Sequence, residues 1–257
     1  MSGFSSGKNI LPAPATTIPE TKNDNLITFF SKKRIKQNLL RIFTEVMPLL
    51  LQEKINSHSS WALWLITEEV ESLLQKLSLS SREYAEFELI RIKQKQLEWL
   101  SSRLLLKELA RQHQLQPAEI IKDSFGKPCL TSADGYVSLS HSYPYAAAII
   151  NTRTETGIDI EHSREQLLRI RHKFLSSGEE ECAGNHTDKL CVYWAAKEAL
   201  YKLYGRKGLI LKEQIIINPF ELTDSGTIEG SLLLNKTKQQ YTLHYRRFEE
   251  LHICYSL

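Results

Sequence analysis

Two carboxylates stand two residues apart in Thr156-Gly157-Ile158-Asp159-Ile160-Glu161-His162. Isoleucines alternate with them, so on a strand Asp159 and Glu161 leave one face while Ile158 and Ile160 enter the core. Side by side, two carboxylates repel unless a cation lies between them. About forty residues further on, Tyr193-Trp194-Ala195-Ala196-Lys197-Glu198-Ala199-Leu200-Tyr201-Lys202 is strongly helical text, and Trp194, Glu198 and Lys202 share one slanted face. If that face meets the strand, three carboxylates surround one divalent ion. An all-oxygen donor set, with no suitably spaced His or Cys, favours Mg2+ over zinc, and Mg2+ keeps positions open for water and substrate phosphates. Taken singly, each piece also reads as a solvated strand edge or a surface ion pair, and D-x-E alone is weak.

A second set of residues suits phosphate. Lys95, Trp99, Arg103, Lys107 and Arg111 recur every fourth position, which on a helix makes one basic column carrying an aromatic ring. Lys107 and Arg111 read as a solvated face, while Arg103 stands evenly between that and a phosphate contact. Gly126-Lys127-Pro128 is a turn with a cation at its tip. Ser140-His141-Ser142 ends a strand, where hydroxyls and an imidazole fit phosphate contact. A Ser-His nucleophile is the weaker reading, because no G-x-S-x-G accompanies it.

The elements that must position these groups come from a chain of 257 residues, 42% apolar, with a formal charge of +3. That length allows one large domain or two modest ones, and the near-balanced charge argues against a nucleic-acid binder. Apolar runs stop well short of the roughly 20 residues a membrane span needs. The four cysteines are scattered without a C-x-x-C pair, as in reduced thiols of a cytoplasmic protein. Met1 to Asn25 is Ser-, Pro-, Thr- and Asn-rich with no signal-peptide pattern, and Lys32 to Arg41 fits a short basic amphipathic helix. Folded text begins with a strand at Trp61–Ile66, followed by helical spacing at Val70, Leu73, Leu74 and Leu77, then one or two helices from Ser80 to Leu109. Strands are expected at 136–140, 145–151 and 157–161, a helical region at 165–204, and a β-meander over the last fifty residues. No internal sequence repeat stands out, although strand and helix content on both sides of residue 151 makes two similar halves conceivable.

In order, F-G-K-P-x-L, S-L-S-H-S, G-I-D-I-E, K-F-L-S-x-x-E-E, W-A-A-K-E-A-L-Y-K and G-R-K-G-L run from Phe125 to Leu209. Together they resemble the 4'-phosphopantetheinyl transferase superfamily, in its surfactin-type, two-half class, from about residue 47 to the C-terminus. The resemblance implies an α+β fold, a pseudo-symmetric pair of halves, each a small mainly antiparallel sheet packed on helices, with the active site in the cleft between them. It divides the chain into a leader or extension at 1–46, poorly ordered or loosely helical, an N-terminal half at 47–150 and a C-terminal half at 151–257. Met47-Pro48-Leu49 matches the opening of such proteins, which makes Met47 an alternative start.

The activity implied is Mg2+-dependent transfer of the 4'-phosphopantetheine arm of coenzyme A to a serine of an apo acyl or peptidyl carrier protein, releasing 3',5'-ADP, of the holo-(acyl-carrier-protein) synthase type. By the same analogy Asp159, Glu161 and Glu198 bind Mg2+. Glu198, directly or through a water, and Lys202 are catalytic. Arg103, Lys127, Ser140, His141 and Lys202 contact coenzyme A. Trp194 reads as packing. The expected partners are coenzyme A and the carrier protein, with no nucleic acid and no membrane, and the expected state is a cytoplasmic monomer. The competing class is a carrier-protein and coenzyme A binding module that has lost catalysis.

Overall fold

A computed structural model describes Gly3 and residues 49–257. The expectations for the leader, the Lys32–Arg41 stretch and Met47 lie outside the described residues. Among those described, no helix is long and apolar enough to cross a membrane, and all four cysteines are free.

The first half opens with strands β1 (Leu49–Lys54) and β2 (Ser59–Leu65), then helices α1 (Val70–Lys76), α2 (Ser81–Glu88) and α3 (Lys93–Gln112). Strands β3 (Ile120–Lys122), β4 (Pro128–Leu130), β5 (Tyr136–Ser142) and β6 (Tyr145–Asn151) complete it. The second half runs β7 (Gly157–His162), α4 (Gln166–Ile170), a 3-10 turn, α5 (Ser177–Ala183), α6 (Thr187–Tyr204), α7 (Leu211–Gln214), β8 (Ile215–Ile217), β9 (Ser225–Leu234), β10 (Thr237–Phe248) and β11 (Leu251–Ser256). Strands β1, β3 and β4 are additions to what the sequence suggested, the last two only three residues long. The apolar residues of β1 are consecutive rather than alternating, and it lies at the sheet edge, paired among the described residues with β2 alone.

Every pairing is antiparallel, in the orders β1-β2-β6-β5-β4-β3 and β7-β11-β10-β9-β8. Once β1 is set aside, the orders are the same, so each half is one strand, a helical excursion that includes one long helix (followed in the second half by the short α7), and a four-strand return that closes beside the first strand. The fold is α+β with two similar halves.

Alternation along the strands builds four layers. Ala62, Trp64, Ala148 and Ile150 turn to α3, packing with Leu97, Leu105 and Leu109. Trp61, Leu63, Ala147 and Ile149 turn the other way, onto Ile158, Ile160, Ile253 and Tyr255 of the second sheet. That sheet's far face, with Leu232, Leu243 and Cys254, receives Val192, Ala195, Ala199 and Leu200 of α6. Burying both faces of each sheet accounts for the near-continuous apolar text of β2 and β6.

The halves also repeat in detail, which overturns the reading that the sequence holds no repeat. Leu79-Ser80-Ser81-Arg82-Glu83 and Leu175-Ser176-Ser177-Gly178-Glu179 each start a short helix with a capping box, Ser80 with Glu83 and Ser176 with Glu179. The second carboxylate oxygen of each glutamate accepts the backbone N–H of a strand that follows the long helix, Ile120 at 3.1 Å and Ile217 at 2.8 Å. A lysine from the long helix meets each one, Lys107 with Glu83 at 3.5 Å and Lys197 with Glu179 at 2.7 Å. The repeat is hard to see in the text because Glu83 to Lys107 and Glu179 to Lys197 differ in spacing, and little but L-S-S-x-E and K-E is kept. Lys107 is therefore not a plainly solvated residue, whereas Arg111 is exposed and pairs with Glu108.

Candidate active site

The G-I-D-I-E strand, β7, is an edge of its own sheet, and α6 crosses it at Gly157. A Cβ there would come within 2.0 Å of the Ala199 carbonyl oxygen, so only glycine lets the helix approach this closely. As the alternation predicted, Ile158 and Ile160 are buried between the sheets, and Asp159 and Glu161 lie on the helix side. Trp194 packs edge-on against Phe174, with ring centroids 4.9 Å apart, in keeping with its reading as a packing residue.

The open side of β7 meets β5 through side chains. Ser138, Ser140 and Ser142 alternate along S-L-S-H-S, so all three hydroxyls face β7. Ser138 Oγ accepts the Ile158 N–H and Ser140 Oγ the Ile160 N–H, each at 3.2 Å. Ser140 also donates to Asp159 Oδ1 at 2.8 Å, and Ser142 Oγ lies 2.9 Å from His162 Nδ1. The outward N–H groups of Ile158 and Ile160 on this edge strand are thus both satisfied.

Asp159 is nearly buried, and its Oδ1 also accepts from Lys202 Nζ at 2.7 Å. Lys202 donates in addition to the Ile158 carbonyl at 3.1 Å. Glu161 is held by Arg164 through Oε1. Glu198 has no hydrogen-bond partner among the described residues, and its carboxyl is pushed up to about 7, first by burial and then by the charges of Asp159 and Glu161, with Lys202 opposing. Among the described residues no three His, Cys, Asp or Glu side chains form a ready-made metal cage. Lys202 and Arg164 instead neutralise two of the three acids. The donor set nevertheless fits a hard divalent cation, because an unpaired half-buried carboxyl under the field of two others is the charge imbalance such an ion relieves.

Beside this cluster lies a cavity of about 550 Å³ that both halves line. Lys95, Arg103, Lys122 and Lys127 enter it from the first half, Lys202, Arg206 and Lys207 from the second, and no carboxylate of the described residues joins them. A cavity of that charge suits a polyanion. Arg103 is almost fully buried, its guanidinium 3.4 Å from the centre of the Trp99 ring, and burial lowers its pKa to about 10, so it stays protonated at neutral pH. It pairs with Glu86 at 3.5 Å, and its buried Nε has no hydrogen-bond partner among the described residues. An orphaned guanidinium donor on a cavity wall fits a missing anionic ligand.

His141 faces the cavity from β5, with Nδ1 3.2 Å from Glu98, a carboxylate buried beneath it that Lys95 also holds at 2.6 Å. Lys127 reaches the second half, donating to the Leu203 carbonyl at 2.9 Å and pairing with Glu155. Gly205, at φ +69°, makes room for it, since a Cβ there would stand 2.6 Å from Lys127 Cδ.

Of the residues singled out in the sequence, Arg103, Lys127, His141 and Lys202 thus line one cavity, while Asp159, Glu161 and Glu198 cluster beside it. Ser140 does not line the cavity. Lys122, Arg206 and Lys207 had been given no role; the last two stand in the quoted G-R-K-G-L, whereas Lys122 carried no signal of its own. Lys197, adjacent to Glu198, is buried and spends its three N–H groups on Glu179 and the carbonyls of Leu211 and Ile215.

Among known families, residues 155–256 match the family model of the 4'-phosphopantetheinyl transferase superfamily. A comparison with curated proteins found no match.

Proposed function

We propose that this chain, whose residues 155–256 match the family model of the 4'-phosphopantetheinyl transferase superfamily, belongs to that superfamily and moves the 4'-phosphopantetheine arm of coenzyme A onto a serine hydroxyl of an apo acyl or peptidyl carrier protein. Phosphopantetheinyl transfer in general is the superfamily's chemistry; the carrier serine, the Mg2+ requirement and the holo-(acyl-carrier-protein) synthase type are this reading's own. One observation carries it. The acids Asp159, Glu161 and Glu198, with Lys202 among them, adjoin a cavity lined by cations from both halves.

Asp159, Glu161 and Glu198 would hold Mg2+, which when bound supplies positive charge to a substrate pyrophosphate. The chain's own groups do the rest. Lys202, 2.7 Å from Asp159 in the free protein, turns to the phosphates when they enter. Lys127 and His141 bind the nucleotide phosphates, and Arg103 the 3'-phosphate end. Ser140, expected at coenzyme A as well, has its hydroxyl engaged by Asp159 and Ile160. Glu198 takes the proton of the carrier serine, directly or through a water. The serine oxygen attacks the β-phosphate bearing the pantetheine arm, the bond to the nucleotide breaks, and 3',5'-ADP leaves with the bonding electrons. No covalent intermediate on the protein is needed.

The same reading makes the protein a cytoplasmic monomer, with residues 47–150 and 151–257 supplying the two walls of one cleft. Incubation with apo carrier proteins, coenzyme A and Mg2+ tests it by mass spectrometry. The phosphopantetheine mass added to a carrier serine is the expected result. Coenzyme A binding without transfer to any of several carriers would replace the enzyme with a binding module.

A further inference from the structure

The joint between the two halves contains a pair of serines that accept alike and donate differently; Ser138 also lines the cavity, and Ser140 does not. Ser138 and Ser140 are both buried on β5, and each accepts an isoleucine N–H of β7 at 3.2 Å. A hydroxyl accepts through its lone pairs and has one proton left to give. Ser140 gives its proton to Asp159 Oδ1 at 2.8 Å; Ser138 has no such acceptor among the described residues. Asp159 therefore takes both of its hydrogen bonds, from Ser140 and from Lys202 at 2.7 Å, on the same oxygen. Oδ2 receives none from the described residues.

We infer that Ser140 is a positioning residue for the metal site, fixing the Asp159 carboxylate from the opposite half so that Oδ2 is presented to the divalent cation. This rests on the proposed metal reading and adds to it a part that none of the three acids supplies. The physical need is specific. Lys202 cannot orient Asp159 during turnover if its ammonium moves to the phosphates, which leaves Ser140 as the donor that keeps the carboxylate from rotating. Because Ser140 belongs to β5 and Asp159 to β7, the acid can bind metal tightly only when the two halves are in register. A carboxylate ligand held by an outer hydrogen bond has already lost the torsional freedom it would otherwise lose on binding.

The test compares Mn2+ binding, followed by electron paramagnetic resonance without coenzyme A, in the wild type, Ser138→Ala, Ser140→Ala and Ser140→Thr. Both alanine variants lose the hydrogen bond to an isoleucine N–H of β7, so a loss due to that bond alone is the same in each, and Ser140→Ala loses the bond to Asp159 in addition. Ser138→Ala is expected to bind Mn2+ as the wild type does, and Ser140→Ala about tenfold more weakly. Ser140→Thr, which keeps the hydroxyl, should recover most of that loss. In transfer assays, Ser140→Ala should need about tenfold more Mg2+ for its half-maximal rate than Ser138→Ala does. Equal Mn2+ affinity in the two alanine variants would overturn the inference and leave the metal reading intact. Absence of Mn2+ binding by the wild type would overturn the metal reading, and the role of Ser140 with it.

Discussion

Lys197 and Glu179 form an ion pair at 2.7 Å in the interior of the second half, with side chains 0% and 3% exposed. The lysine stands next to Glu198 in W-A-A-K-E-A yet points away from the acidic cluster, into the carbonyls that open and close α7. Its carboxylate partner is the same glutamate that caps α5 and receives the Ile217 N–H. One buried pair therefore ties a short helix, the long helix and the first return strand into the platform that aims Glu198 and Lys202.

Lys197→Met should destabilise the protein by about 3–5 kcal/mol, because it strands a buried carboxylate. Lys107→Met also takes a partner from a buried carboxylate, Glu83, but the pair is longer and its lysine partly exposed, so the cost should be smaller, about 1–3 kcal/mol. Urea denaturation of both variants provides the comparison. Equal costs would mean that the two halves use their repeats alike.

Glu198→Gln should stabilise the metal-free protein at alkaline pH. A carboxyl raised to about 7 in the fold, from an ordinary value of 4.5, loses stability as pH rises through that interval, since the unfolded chain ionises it more readily. The glutamine has no such loss. In chelator the variant should match the wild type near pH 4 and exceed it by on the order of 2 kcal/mol at pH 8, while the rise in melting temperature on adding Mg2+, expected for the wild type, disappears. A wild type that is relatively more stable than the variant at pH 8 would contradict this.

Gly157→Ala should cost about 3 kcal/mol or more, since its Cβ would press within 2.0 Å of a backbone oxygen of α6. Gly178→Ala, in α5 with nothing within 4 Å of the added carbon, should be neutral or stabilise by up to about 1 kcal/mol. Thermal melts of the pair separate loss of a close helix approach from a general intolerance of change.

Arg103→Ala should weaken coenzyme A binding by about 10- to 100-fold, the range for a lost charge-assisted hydrogen bond. The form lacking the 3'-phosphate should be much less affected. Calorimetric titration with the two ligands decides it, and equal losses would point to packing of the Trp99 face in place of a phosphate contact.

Much of the candidate site is legible in the text because strands and helices have fixed periods. Period two placed Asp159 and Glu161 on one face, and period four aligned Glu198 with Lys202. The serines of S-L-S-H-S obey the same rule, but their target does not. Nothing near Ser140 in the chain announces that Ile160 and Asp159 will be its partners. Arg103 was legible only as one member of a column. Its burial, its contact with Trp99 and its orphaned Nε depend on helices and strands that close over it.

Apart from strands β1, β3 and β4, the text of the chain specifies the elements, the carboxylate strand, the helix that carries the third acid, and the order of motifs that resembles one superfamily. These follow from local periods, caps and turn residues, which act over a few positions. The tertiary structure alone decided which side of β7 is sealed by serines, that Lys197 is structural while Lys202 meets Asp159, and that cations distant in sequence share one cavity. It also exposed the repeat behind the two halves. Such facts depend on strand order and on the packing of one sheet against another, and contacts between residues far apart in the chain leave no fixed spacing to read. The two carboxylates of G-I-D-I-E began as an electrostatic problem; the fold answers it with a lysine from α6, an arginine following β7, and a serine from the other half.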